Sequence, residues 1–100
     1  ALILARFSAT SSCEASAGYG CQVRVLIDGV EAQPAGINAS VFDSSTEGTN
    51  ADGREAHMIE RSRGPLGAGD HVVKVQMAVP NGIVSFTLTN WNLTVERIRA

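Results

Sequence analysis

Several strand-like runs in this chain are apolar on both faces, and this limits what it can fold into. Ala1-Leu2-Ile3-Leu4-Ala5, Val72-Val73 and Ile83-Val84-Ser85-Phe86 break the apolar–polar alternation of a half-buried strand. A lone two-layer β-domain buries one face of each sheet. Apolar residues on the second face therefore call for a further cover, most simply another protein chain.

The chain has 100 residues, which predicts a single domain spanning residues 1–100. Apolar residues make up 44% and charged residues only 18%, a balance that argues against disorder and for extensive burial. Net charge is −2, and the basic residues are scattered. Without a basic stripe, nucleic acid and anionic membrane are poor partners. No apolar run approaches the ~18 residues of a membrane-spanning helix, so membrane insertion is not expected.

Helical periodicity is nearly absent, whereas strand alternation is frequent. Ile3, Ala5, Phe7 and Ala9 alternate with Leu4, Arg6, Ser8 and Thr10. Val23, Val25 and Ile27 alternate with Gln22, Arg24 and Leu26. Asp28-Gly29 marks a tight hairpin, with a short return strand from Val30 to Gln33 ended by Pro34. Ser40 to Phe42 is a brief strand, residues 43–53 a polar loop, and Arg54 to Arg63 a further strand. His71, Val73, Val75 and Met77 share one face, and Pro80-Asn81-Gly82 is a second hairpin turn. Val84, Phe86 and Leu88 form one face of the next strand, Asn90 bends the chain, and Trp91, Leu93 and Val95 continue it. The fold class is therefore all-β: a two-sheet antiparallel β-sandwich of the jelly-roll kind with seven to eight strands. The expected core is Phe7, Val25, Ile27, Val75, Phe86, Trp91, Leu93 and Val95.

Cys13 and Cys21 flank a turn-forming stretch and are expected to form a disulfide, which places the chain in an oxidising compartment, secreted or at the cell surface. The catalytic signals are poor. There are two histidines, His57 and His71, without metal-ligand spacing. Ser44, His57 and Asp70 can be combined on paper, but the chain has no nucleophile elbow, and no enzymatic activity is expected. Asp43, Glu47, Asn50, Asp52 and Glu55 could supply oxygen ligands to calcium, although their spacing is not that of an EF-hand loop. Tyr19, Asn90, Trp91 and Asn92 are the candidate groups for a sugar.

Two segments carry a resemblance. They are Leu66-Gly67-Ala68-Gly69-Asp70-His71-Val72-Val73-Lys74-Val75 and, after a hairpin, Trp91-Asn92-Leu93-Thr94-Val95-Glu96. Together they resemble the closing strands of secreted bacterial jelly-roll domains of undefined role. Ala5 to Ala9 and Val23 to Gly29 resemble the same group. The closing phrase is shared with carbohydrate-binding jelly rolls, and the layout with trimeric heads of the tumour-necrosis-factor and complement type. The resemblance implies a fold rather than a site.

The expected function is that of a non-catalytic extracellular module that associates with copies of itself, as a trimer, another closed ring or a filament. Leu2, Leu4, Leu26, Val72, Ile83 and Ile98 are the expected contact residues. The alternative is a carbohydrate-binding module, with glycans as partners and calcium as an aid.

Overall fold

The computed structural model describes residues 1–15, 20–37, 39–44, 54–78 and 83–99, without the side chains of residues 15, 83 and 84. The described residues form seven strands: β1 (Leu2–Ala15), β2 (Cys21–Ile27), β3 (Val30–Glu31), β4 (Val41–Asp43), β5 (Glu55–Arg63), β6 (Val73–Ala78) and β7 (Ile83–Ile98). They build two antiparallel sheets. The first has the order β5-β1-β7. In the second, β2 is central, with β3 and β4 along one edge and β6 along the other. The Pro80–Gly82 turn and most of the polar loop lie outside the described residues.

The two-residue turn after β2 follows from its sequence. Asp28 and Gly29 adopt φ of 53° and 80°, the positive pair that a tight hairpin needs, and Ile27 faces Val30 across it. Alternation then sorts the residues. Ile3, Ala5, Phe7, Ala9, Ser11 and Cys13 of β1 point inward and are buried, facing Val23, Val25 and Ile27 of β2. Ala32, Phe42 and Ile59 complete this core, and Phe42 packs against Phe7 with ring centroids 5.7 Å apart.

Cys13 and Cys21 are joined by a disulfide. Both sulfurs face inward, so the bridge ties β1 of one sheet to β2 of the other. Gly20, just before β2, has φ of 67°, and a Cβ there would lie 2.8 Å from the Asp43 carbonyl oxygen. Glycine is the residue that fits this approach.

One long side of the sandwich is sewn shut. Gln33 and Ser62 exchange two backbone hydrogen bonds, of 2.8 and 2.9 Å, between the β3 side of one sheet and β5 of the other. Arg61 donates to the Ala39 carbonyl, and Arg63 donates to the Ile27 carbonyl at 3.0 Å. Deeper in, the Ser11 hydroxyl donates to the Asp43 carboxylate at 2.7 Å, and both residues are fully buried.

The opposite side carries no such backbone bonds among the described residues. There the edge strands are β6 and β7, and among the described residues no ladder joins them. This corrects the expected core. Phe7, Val25 and Ile27 are buried, but Val75, Phe86 and Leu93 are only partly so, while Trp91 is 66% and Val95 45% exposed. Trp91 and Val95 do sit on the inward side of their strand, but the facing sheet stops short of them.

Candidate functional site

The open side takes its form from the last two strands. In β6, Val73, Val75 and Met77 stand opposite Ile27, Val25 and Val23 and share their inward direction. In β7, Phe86 and Leu88 stand opposite Cys13 and Ser11. A register shift follows: Ser8 faces Asn92, but Thr10 faces Thr89. The extra residue is taken up at Asn90, whose φ is 51°. This is a β-bulge, and it switches the parity of the strand. Beyond it Leu93 faces Phe7 and Val95 faces Ala5, so Trp91, Leu93, Val95 and Arg97 run along the inward side. Asparagine tolerates left-handed backbone better than most side chains.

The result is an open apolar groove of about 450 Å³ lined by Phe7, Val75, Met77, Leu88, Trp91 and Leu93. Trp91 and Met77 are its most exposed members, at 66% and 47%. Val73, Val95 and Ile3 continue the same side toward Arg97 and His71. No charged or amide side chain lines the groove among the described residues.

At the far end of this side, polar contacts fix the connection between β5 and β6. His71 Nδ1 lies 2.6 Å from Asp28 Oδ2, and His71 Nε2 lies 2.9 Å from the Gly67 carbonyl oxygen. The Val72 N–H donates to Asp28 Oδ1 at 2.8 Å. Two acceptors flanking one imidazole favour the doubly protonated ring, and the His71 pKa is raised chiefly by the Asp28 bond and then by the Gly67 carbonyl. The Asp28 carboxyl is lowered, first by the Val72 N–H and then by His71. Arg97 donates to the Gly69 carbonyl in the same region.

The residues singled out from the sequence are distributed as follows. Leu2, Leu4 and Ile98 lie on the outer face of the first sheet, where Leu2 faces Ile98. Leu26 and Val72 lie on the opposite side of the molecule, along the outer face of the second sheet. These positions do not make one continuous surface. The Ile83 side chain lies outside the described residues. For the sugar reading, Trp91 and Asn92 point to opposite faces of β7, and the Asn92 amide donates to Thr94 at 3.3 Å. For calcium, Asp43 is buried against Ser11, and Glu55 lies 3.4 Å from His57 Nε2. Tyr19, Glu47, Asn50 and Asp52 lie outside the described residues. His57 belongs to the Asp43 end of β5, whereas Asp70 lies beside Ile3 and Arg97, so the paper combination of Ser44, His57 and Asp70 is not assembled.

Sequence reasoning assigned Phe7, Val75, Trp91 and Leu93 of the groove to the core and did not single out Met77 or Leu88. The available signal was composition: the inward faces of the last two strands hold the only tryptophan and one of the two methionines. In comparisons with family models, with curated protein sequences and with solved structures, the chain finds no significant match.

Proposed function

We propose that this chain is a non-catalytic extracellular β-sandwich module, of the secreted jelly-roll kind, that associates with copies of itself through the open β6–β7 side. The observation that carries this reading is the exposure of Trp91, Met77 and Val95 on the inward faces of their strands. Burying one such side chain contributes roughly 1.5–3 kcal/mol, so several together can offset the cost of association. An apolar lining without amides or carboxylates suits a protein surface better than a sugar. The Cys13–Cys21 bridge supports an oxidising compartment.

Multi-angle light scattering tests the reading with wild-type protein and Met77→Lys. The expected result is an oligomer for the wild type and a monomer for the variant, with unchanged β-sheet circular dichroism. A folded Met77→Lys protein that keeps the wild-type mass would remove the groove from the contact.

A further inference from the structure

Resting on that self-association, the geometry points to a two-fold dimer in which β7 of one copy pairs antiparallel with β7 of a second, Thr94 opposite Thr94. The first observation is the edge itself. β7 is 16 residues long, and no described residue pairs with its outer edge. Native proteins seldom leave so long an edge free. After the bulge, residues 92–98 form one regular arm paired to β1, with Trp91 just before it.

The second observation is that this arm nearly dictates its own register. A two-fold antiparallel pairing must set inward residues opposite inward ones, because side chains alternate strictly. The centre then falls on a residue, not between two. Centred on Glu96, the pairing sets two glutamates face to face, which is repulsive. Centred on Val95, it sets Leu93 opposite Arg97 and Asn92 opposite Ile98, apolar against polar in both cases. Centred on Leu93, it runs Glu96 into the bulged Asn90 and leaves Arg97 beyond the regular arm.

Centred on Thr94, the pairs are Thr94 with Thr94, Leu93 with Val95, Asn92 with Glu96 and Trp91 with Arg97, and of the arm only the uncharged Ile98 runs to the bulged Asn90. Each charged or aromatic group then meets a complement. Glu96 Oε1 is already held by Arg6 at 2.8 Å, and its second oxygen can accept from the Asn92 amide of the second copy. The Arg97 guanidinium meets the exposed Trp91 ring, a cation–π pair.

The third observation concerns the groove. Adding the second copy's β7 extends the β5-β1-β7 sheet sideways, beneath β6, whose outer edge pairs with no described residue. The second copy's Trp91, Leu93 and Val95 then lie under Val73, Val75 and Met77, of which the first two are only partly covered and Met77 is exposed. One arrangement thus pairs the edge and covers the groove.

Cysteine cross-linking tests this in the intact chain. Directly opposed antiparallel residues have Cα atoms roughly 4.5–5.5 Å apart, within disulfide reach. Asn92 of one copy would lie about four residues, or roughly 13 Å, from Asn92 of the other along the strand, which is out of reach. Thr94→Cys, Leu93→Cys, Val95→Cys and Asn92→Cys proteins are oxidised mildly and run on non-reducing gels, with the Cys13–Cys21 bridge verified by peptide mass. Thr94→Cys is expected to give at least about tenfold more covalent dimer than Asn92→Cys. If the wild type is oligomeric but cross-linking is strongest at Leu93 or Val95, or absent throughout, this register is wrong and self-association stands. If the wild type is a monomer by light scattering, both fall.

Discussion

His71 stands between two oxygen acceptors, and its proton holds the β5–β6 connection against the hairpin after β2. Its folded pKa is raised above the ordinary 6.5. The stability it contributes is therefore fully present below 6.5 and is lost as pH rises through the raised value. The folded pKa of Asp28 is lowered below the ordinary 3.8, so its contribution is present above 3.8 and is lost as pH falls through the lowered value. Melting temperature measured by circular dichroism from about pH 3 to about pH 9 should show a plateau with a decline on each side. His71→Phe should abolish the alkaline decline, and identical alkaline slopes in both proteins would contradict this role. Ser11 gives a second prediction at this scale. Its hydroxyl donates to a fully buried carboxylate, so Ser11→Ala should destabilise by about 1–3 kcal/mol in urea unfolding. These contacts could not be read from the sequence. Asp28 was legible as a turn residue, and His71 as the start of a strand, but their meeting spans 43 positions and depends on how the sheets stack.

Among the elements, β7 shows what periodicity can and cannot tell. The two inward sets, Phe86 with Leu88 and then Trp91 with Leu93 and Val95, are legible because they alternate on either side of Asn90. The positive φ of Asn90 explains the change of step. Asn90→Val should cost about 1–2 kcal/mol, because a β-branched side chain clashes in left-handed backbone, whereas Asn90→Gly should be close to neutral. Equal stability of the two variants in urea would show that the bulge is not held there. Periodicity does not say how far the opposite sheet reaches. Val25 and Val75 stand side by side in adjacent strands with identical alternation, yet Val25 is 1% exposed and Val75 is only partly covered. The difference is that β2 is central and β6 is an edge. Strand order comes from long-range pairing, which no local window contains.

The whole molecule is asymmetric about its long axis. Its β5 side is closed by backbone bonds and by arginines reaching across from β5, while its β6–β7 side exposes apolar residues of core type. The expectation of an uncovered apolar surface came from broken alternation, whereas the open groove lies among residues that keep it. Leu2, Leu4 and Leu26 drew attention because they interrupt alternation, and the structure places them on the outer faces. The residues that obey the alternation line the open groove. The disulfide acts at this scale too, because it joins the two sheets. Reducing it should lower stability by about 2.5 kcal/mol on loop-entropy grounds, seen as a lower melting temperature in reductant.

Sedimentation velocity across a dilution series, read together with Trp91 emission, is the most direct test of the claim that another copy covers the β6–β7 side. The account predicts a dimer or larger assembly at micromolar concentration, with blue-shifted emission that moves red as dilution dissociates it. A single species of 10.5 kDa with red, water-exposed emission at every concentration would contradict it.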